Sequence, residues 1–173
     1  MPLTCRGLEE IELGCERNTG GLHAVYVGDM EDIDTIVEDE TQWAVTTLTA
    51  LSAPVSIEIK RKTSNYIEDE QNDFVNGSVV VTTTTTLMIH RRNAEKSRAL
   101  DILGAGQRYL YEILLDANGV YWFVPYAQLQ STGEGSGQER ADGSKYSAVL
   151  VAENDHKAYT ISAALVASLL ATS

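Results

Sequence analysis

The sequence predicts a mainly β protein, an antiparallel β-barrel or sandwich with one flanking α-helix and long loops. The stretch "NGSVVVTTTTTLMIHRR", residues 76–92, holds eight consecutive β-branched residues, which fit a pleated strand better than a helix. Residues 55–64, "VSIEIKRKTS", begin with the period-two alternation of a half-buried strand. With 173 residues and a hydrophobic fraction of 43%, the chain can bury one substantial core, so we predict a single domain over residues 1–173.

Strands and turns alternate along most of the chain. After an N-terminal arm, residues 1–20, the pattern predicts a strand at "GLHAVYVGD" and another over residues 42–51. The segment "QRYLYEILLDANGVYWFVPY" predicts a hairpin, because Asn118 and Gly119 supply the left-handed backbone of a tight turn. "YSAVLVAE" and "AYTISAAL" predict the last two strands.

One helix is predicted after the threonine run. In "NAEKSRALDILGAG", Asn93 is a suitable N-cap, an apolar stripe follows, and Gly104 is a typical stop. The C-terminal stretch "AALVASLLA" is compatible with a second, short helix. It is too short to span a bilayer, so we expect no membrane association.

Two segments are predicted to be long contact loops. Residues 65–77, "NYIEDEQNDFVNG", are longer than a compact hairpin turn requires and are acidic. Residues 130–145, "QSTGEGSGQERADGSK", are rich in glycine and predict a mobile loop or an arm that becomes ordered on a neighbour.

The threonine strand is long for a domain of this size. From Ser78 to Arg91, at about 3.3 Å per residue, it reaches about 45 Å, whereas a compact chain of this length is roughly 40 Å across. Threonine presents both a methyl and a hydroxyl group, so a face formed by Thr82, Thr84 and Thr86 tolerates either protein or water. The strand is therefore either an ordinary sandwich strand or one that contacts other subunits.

The charge distribution narrows the possible partners. The formal charge is −12; residues 1–76 carry 16 acidic and five basic side chains, and residues 77–173 carry nine and eight. This excludes a basic nucleic-acid-binding domain, because phosphate contacts require clustered Lys and Arg. The acidic stretch "DMEDIDTIVEDE" lacks the internal glycine of a calcium loop, so we expect a solvated acidic face and no metal site.

The residue pattern does not predict an enzyme. Cys5 and Cys15 stand without a ligand pattern and are expected to be reduced thiols. "GEGSG" is followed by no helix, so it is not a phosphate loop. No serine lies on a strand-to-helix elbow. We therefore expect no catalytic residue and no cofactor.

The order of features in the second half resembles a family of virion proteins. "DANGVYWFVPY" is followed by the glycine-rich "STGEGSGQERADGSKYSAVLVAE" and then by "HKAYTIS", and the chain opens with "LTCRGLEEIELGCERNTGG". This arrangement resembles the tail tube and tube-like tail hub proteins of tailed bacteriophages, particularly crAss-like phages that infect Bacteroides-type gut bacteria. After the tryptophan strand the family pattern has a glycine, whereas this chain has Pro125 and Tyr126.

The resemblance implies a structural role in a virion. It implies a β-barrel or sandwich with a flanking helix, six subunits closing a ring, and stacked rings that conduct DNA as non-specific cargo. The partners would be copies of the chain and other tail or connector proteins, and the protein would be made in the host cytoplasm. On this model the threonine strand pairs with residues 55–64, and the two form part of the inner β-wall, continuous between subunits, which removes aggregation-prone edges.

Specific contact residues follow from this model. The candidates for inter-subunit contact lie on the threonine strand and in the two long loops: Glu68, Asp69, Glu70, Asp73, Thr82, Thr84, Thr86, Gly135 and Gly137. Acidic residues would either line the lumen and repel DNA or pair with basic residues of the next ring. The candidates for that pairing are Lys60, Arg61, Lys62, Arg91 and Arg92.

A second interpretation is a monomeric ligand- or carbohydrate-binding β-sandwich. In that case Tyr121 and Trp122 would lie on an exposed face, where aromatic rings can stack on a sugar or a base. The two interpretations differ in subunit number, because the tail protein would form rings or tubes and the binding module would remain a monomer.

Overall fold

The computed structural model describes residues 8–172. The ten strands are β1 (Leu22–Asp29), β2 (Ile33–Asp39), β3 (Ala44–Ala50), β4 (Val55–Ile57), β5 (Asn65–Asp73), β6 (Ser78–His90), β7 (Leu110–Asp116), β8 (Tyr121–Gly135), β9 (Lys145–Asn154) and β10 (Tyr159–Ile161). The two α-helices are α1 (Ala94–Gly104) and α2 (Ala163–Leu170), and single turns of 3₁₀ helix occupy Met30–Asp32 and Ala105–Gln107.

All ten strands belong to one sheet that branches at β8. Along one path the order is β2-β3-β10-β8-β7-β1-β4, and a branch runs from β8 through β9 and β6 to β5. The first part of β8 pairs with β7 and β10, and its second part, from Ala127 to Gly135, pairs with β9. One long strand therefore joins two parts of the sheet.

The backbone of β8 bulges where its partners change. Between its pairings with Glu112 and Leu110 of β7, β8 contains one residue more than β7 does. The extra length falls at Pro125 and Tyr126, and Tyr126 has a φ of 58°. A bulge accommodates proline because it interrupts the ladder of backbone hydrogen bonds. The φ of Tyr126 lies in the left-handed region, which glycine adopts without strain.

The first core lies between the two branches of the sheet and under α1. Strand β6 contributes alternate residues to it, with Leu87 fully buried and Thr85 buried beside it. The other buried apolar residues come mainly from β1, β7, β8 and β9: Leu22, Val25, Val27, Leu110, Leu114, Val124, Ala127, Tyr146, Ala148, Leu150 and Ala152. Because side chains alternate along a strand, one face of β6 fixes the register of this layer.

The second core lies on the opposite face of β7 and β8. Tyr111 and Phe123 are fully buried there, with ring centroids 5.9 Å apart. Helix α2 covers them through Val166 and Leu169, which are 2% exposed. Strand β7 is thus buried on both faces, which explains its nearly continuous apolar sequence.

Several sequence predictions are confirmed. The β-branched run lies within the 13-residue β6. Helix α1 begins after Asn93, whose side-chain oxygen accepts a hydrogen bond from the backbone N–H of Lys96 at 2.8 Å. The predicted hairpin is formed by β7 and β8, and its turn is held by a bond from the N–H of Gly119 to the carbonyl of Asp116.

The sandwich alternative of the predicted fold is consistent with the structure, whereas the barrel alternative is wrong. The sheet is open and sandwich-like, because its path ends at β2 and β4 and its branch ends at β5. It is also mixed, since β10 runs parallel to β3. Helix α2 forms in the C-terminal stretch that was compatible with a short helix. It begins after its N-cap, Ser162, whose hydroxyl accepts a hydrogen bond from the N–H of Leu165.

The predicted loops are shorter than expected. Residues 65–73 form β5, which pairs with β6 along its whole length, so only the turn at residues 74–77 is loop. Strand β8 continues to Gly135, which leaves residues 136–144 as the connection to β9. Residues 55–64 are strand only at Val55–Ile57 and pair with β1, so the predicted pairing with the threonine strand is wrong. Polar segments were read as loops, but here pairing with a strong neighbouring strand outweighs low intrinsic β-propensity.

Strand β2 was not predicted. Its sequence, "IDTIVED", lies in the acidic stretch that was interpreted as a solvated face. Five of its seven residues are exposed, and it is held by pairing with β3. Within residues 8–172 no helix has the length and hydrophobicity needed to cross a membrane.

Candidate subunit interface

The hairpin of β5 and β6 projects beyond the rest of the sheet. Strand β6 pairs with β9 only from Val81 onwards, whereas its pairing with β5 continues to Ser78. The tip carries Phe74 and Val75, which are 94% and 92% exposed. An aromatic and a β-branched side chain that are fully solvated at a projecting tip favour contact with another molecule.

The tip is an ordered turn. The carboxylate of Asp73 accepts hydrogen bonds from the backbone N–H of Val75 at 2.9 Å and of Asn76 at 3.1 Å. It also accepts a hydrogen bond from the side-chain amide of Asn76 at 2.6 Å. These three hydrogen bonds lower the pKa of Asp73, and the bond from the Asn76 side chain contributes most. Asp73, predicted to be a contact residue, therefore shapes the turn that presents Phe74 and Val75.

The other acidic candidates have different environments. Glu68 is half-buried and accepts a hydrogen bond from the backbone N–H of Ala158 at 2.8 Å, which ties the hairpin to the chain before β10. Glu70 lies 3.3 Å from the ammonium of Lys157, and hydrogen bonds from Asn72 and then Lys157 lower its pKa. Asp69 is exposed. Glu68, Asp69 and Glu70 therefore lie together on β5, although Glu68 and Glu70 already have partners within the same chain.

The sheet has three open edges in the part of the chain that the structure describes. Strands β2, β4 and β5 each pair on one side only. Strand β5 carries acidic side chains along its edge, which limits unspecific pairing. Strand β4 is short and uncharged, "VSI", and Val55 is 58% exposed. Of the three, β4 is therefore the edge with the least electrostatic protection.

The threonines of β6 divide between the two faces. Thr83 and Thr85 are buried in the first core, and Thr85 donates to the carboxylate of Glu112 at 3.1 Å. The predicted contact residues Thr82, Thr84 and Thr86 lie on the other face and are half-buried. Strand β6 has partners on both sides, β5 and β9, so its backbone is not an open edge.

The basic candidates separate into two groups. Arg92 is paired within the chain, 3.0 Å from Glu134 and 5.7 Å from the ring centre of Tyr146. Arg91 is exposed at the end of β6, and its φ is 62°. Lys60, Arg61 and Lys62 are exposed in the connection after β4. Lys60, Arg61 and Lys62, which follow β4 closely in the sequence, are called the basic patch below.

No protein-family model matches the chain, and no curated protein matches it in sequence.

The glycine-rich connection is organised around one carboxylate. Asp142 accepts hydrogen bonds from the backbone N–H groups of Gln138 at 3.0 Å and Glu139 at 2.9 Å, and these bonds lower its pKa. Gly137 has a φ of 75°, and a Cβ there would lie 2.7 Å from the Asp142 side chain. Gly135 is half-buried in β8, opposite Lys145. The segment predicted as a mobile loop is thus an ordered turn. Gly137 lies within this turn, and Gly135 lies at the end of β8 that leads into it.

An apolar groove of about 540 Å³ lies between β4 and α1. Its floor and walls include Ile57 from β4, with Ile102 and Leu103 from α1. Asp29 at one end is paired with Arg108, 3.3 Å away. The groove therefore offers apolar surface directly beside an open strand edge.

The segment before β1 is fully solvated. Residues 8–20 have no helix or strand, and Leu8, Ile11 and Leu13 are 105%, 95% and 100% exposed. The segment is attached near its end, where the N–H of Thr19 donates to the side chain of Asn118 at 2.7 Å. Cys15 is a free, exposed thiol in this segment, and Cys5 lies outside the described residues.

The aromatic face expected for a binding module is not formed. Trp122 packs against the first core and donates from its indole nitrogen to Asp116 at 3.0 Å. Tyr121 packs against the second core, and both side chains are half-buried. The prediction that these two residues share an exposed face is wrong, because successive residues of a strand point to opposite faces.

Glu112 is the most unusual ionisable group. It is fully buried on β7 and accepts one hydrogen bond, from Thr85, while its second carboxylate oxygen has no partner among the described residues. Burial raises the pKa of Glu112 to about 7. Within residues 8–172 no group of three or more His, Cys, Asp or Glu side chains is placed to hold a metal ion.

Sequence reasoning missed the apolar residues that the structure leaves exposed. Phe74 and Val75 lie between Asp73 and an Asn-Gly pair, and this pattern was a hairpin signal that we assigned to a loop. Ile11 and Leu13 alternate with Glu10 and Glu12, which is the period of a half-buried strand.

Proposed function

We propose that the chain is a structural subunit that assembles with copies of itself into the stacked rings of a bacteriophage tail tube or tail hub. Six copies would close each ring, and DNA would pass through the lumen as non-specific cargo during ejection. Its other partners would be neighbouring tail or connector proteins, and its place of action the virion. The proposal of a tail assembly rests on the resemblance in element order. Self-association is supported by the apolar side chains that the single chain leaves exposed.

The observation that carries the proposal is the projecting β5–β6 hairpin. Its tip holds Phe74 and Val75 in water, and Val79 and Val80 near the tip are 43% and 40% exposed. Large apolar side chains on a rigid projection favour burial against a second surface, which stabilises by roughly 25 cal/mol for each Å² removed from water. In an assembly, such a projection could contact the neighbouring subunit and bury these side chains.

The acidic charge fits the same role. A negative lumen would repel phosphates and keep DNA from binding as it slides. The exposed acidic residues of the first half include Asp34 and Glu38 of β2, an open edge strand. A charged edge also prevents uncontrolled pairing between rings.

Subunit number tests the proposal directly. Purified protein should show a concentration-dependent increase in mass by sedimentation velocity, and negative-stain electron microscopy should show rings or tubes. A chain that stays monomeric at every accessible concentration would contradict the proposal and favour the binding module.

The hairpin tip is tested by a double substitution, Phe74→Ser with Val75→Ser. Both side chains are solvated in the single chain, so the melting temperature of dilute protein should change little, whereas the concentration at half-assembly should rise by about 10-fold or more. Leu170→Ser, which alters an apolar residue that is 40% exposed on α2, is the control and should assemble as wild type does. Equal assembly of the tip variant and the control would remove the hairpin from the interface.

A further inference from the structure

We propose that residues 10–13 of one copy add as a strand to β4 of a neighbouring copy, with Ile11 and Leu13 filling the groove between β4 and α1. The inference rests on the proposed self-assembly and names one contact within it. An extended segment, an open strand edge and an apolar groove are three separate features of the described chain, and this arrangement uses all of them.

The segment has the side-chain pattern of a strand without a sheet. In "EIEL", residues 10–13, acidic and apolar residues alternate, so Ile11 and Leu13 would point to one face of a strand and Glu10 and Glu12 to the other. In the single chain this segment has no secondary structure, and both apolar side chains are at least 95% exposed. The segment therefore has one apolar face, but in the single chain no surface covers that face.

Strand β4 supplies the backbone partners. It pairs only with β1 in the described structure, with Val55 opposite Val27 and Ile57 opposite Val25. The backbone groups on its other side are open for an added strand, which is a common way of binding an extended peptide. Pairing there would place alternate side chains of the added strand towards α1.

The groove supplies the apolar surface. Its volume of about 540 Å³ lies beside β4, and its walls include Ile102, which is 50% exposed, and Leu103. Two aliphatic side chains entering it would lose their contact with water and would also cover Val55 and Ile102. The gain is hydrophobic and does not require a specific polar group in the groove.

Charge complementarity favours the same orientation. If Ile11 and Leu13 face the groove, Glu10 and Glu12 face outwards beside the connection that follows β4. That connection carries three exposed basic residues, Lys60, Arg61 and Lys62. Acidic side chains of the segment would then lie next to the basic patch, which adds attraction that salt weakens.

The occupant we assign is the segment of a second copy. Thr19 is held at Asn118, so residues 8–18 extend from a fixed point and can reach up to about 35 Å. In the single chain Ile11 and Leu13 lie outside the groove and are exposed. Exchange of an identical segment between subunits is a low-cost way to join them.

Cross-linking between two different variants tests the arrangement. In a background with Cys5→Ser and Cys15→Ser, one protein carries Leu13→Cys and the other Val55→Cys. Mixing them under mild oxidation should produce a disulfide-linked heterodimer at assembling concentrations. The control replaces Val55→Cys by Tyr126→Cys, which is similarly exposed at 53% but lies outside the groove, and should give little product. Equal yields from the two mixtures would overturn the proposal.

The same cysteines in one chain distinguish exchange from folding back. A protein with both Leu13→Cys and Val55→Cys should form bonds between chains, and the fraction of linked species should fall on dilution. A bond within one chain, formed at all concentrations, would show that the groove is filled by its own segment and would overturn the assignment to a neighbour.

Substitution in the segment gives an independent measure. Ile11→Ser with Leu13→Ser should raise the concentration at half-assembly by about 10-fold or more, with no change in the melting temperature of dilute protein. Leu8→Ser is the matched control, because Leu8 is equally exposed but lies outside the proposed strand, residues 10–13, and should have a much smaller effect. If wild-type protein assembles and both variants assemble equally well, the strand addition is wrong and the self-assembly stands. If wild-type protein never assembles, the proposed function itself is wrong.

Discussion

At the scale of single residues, the ring of Tyr111 packs so closely over the neighbouring strand that only glycine fits beneath it. Gly28 lies opposite Tyr111, and a Cβ at this position would lie 2.3 Å from the tyrosine ring. Tyr111 is fully buried in the second core, so the ring has no space into which it can move. The glycine thus sets the distance between β1 and the ring that covers it.

We predict that Gly28→Ala destabilises the protein by about 1–3 kcal/mol, because the added methyl forces the ring or the backbone to shift. Urea denaturation of dilute protein measures the change in the free energy of unfolding. Gly133→Ala is the control, since Gly133 is also on a strand and its added Cβ would meet only an ordinary contact at 4.0 Å. An equal loss in both variants would mean that the tyrosine ring is not the cause.

Glu112 should make stability depend on pH. Its ordinary pKa of 4.5 is raised to about 7 by burial. Between these values the unfolded chain releases the proton while the folded chain keeps it, so rising pH favours unfolding. The free energy of unfolding should therefore fall from about pH 4.5 upwards, and the full penalty, on the order of 3 kcal/mol, is present above about pH 7.

The substitution Glu112→Gln tests this linkage. It removes the titration and keeps the shape, so the variant should be more stable than wild type at pH 8 and should lose less stability between pH 5 and pH 8. Glu153→Gln, at an exposed site on β9, should follow the wild-type curve. Parallel pH profiles for wild type and Glu112→Gln would show that the carboxyl group is not the source.

At the scale of elements, the projecting hairpin is anchored by Glu68. The backbone N–H of Ala158, a residue that is 4% exposed, donates to its carboxylate. We predict that Glu68→Ala destabilises the chain by about 1–3 kcal/mol, because it leaves a buried donor without a partner. Asp69→Ala, next along the same strand but exposed, should change the free energy of unfolding by less than about 0.5 kcal/mol. Thermal melts of the two variants, at a concentration too low for assembly, distinguish them.

The elements that could be predicted are those whose own residues specify them. The β-branched run of β6, the Asn93 cap of α1 and the Asn-Gly turn of the β7–β8 hairpin act locally, and all three are confirmed. Strands β2 and β5 are polar and depend on a neighbouring strand, so their sequences resemble loops. The sheet's branching at β8 depends on pairings between distant residues, and local patterns do not encode them.

The candidate interface was predictable only in part. Composition and alternation indicated an acidic contact loop at residues 65–77 and a threonine face, but not which acidic side chains already have partners within the chain. Glu68 and Arg92 were predicted as contact residues, and both have partners in their own subunit. Pairing of this kind depends on separations in space, which the spacing of residues in the sequence does not fix.

At the scale of the whole molecule, salt should control assembly. If the acidic segment of one copy lies beside the basic patch of the next, raising the ionic strength from about 0.01 M to about 1 M, which shortens the Debye length from about 30 Å to about 3 Å, should shift the protein towards smaller species. Sedimentation velocity across this range measures the shift. Assembly that does not respond to salt would contradict this charge pairing and, on the proposed ring model, would favour acidic side chains that line the lumen.

Strand β8 takes part in the pairings of both branches of the sheet, and its residues contribute to both cores. Neither branch of the sheet is therefore complete without β8. We therefore expect cooperative unfolding, because a β8 that detaches from one branch also leaves the other branch without its pairing strand. The calorimetric and van't Hoff enthalpies of unfolding should then agree, as they do for a two-state domain. A force applied at one end of this strand would likewise act on the strand pairings of both branches of the sheet.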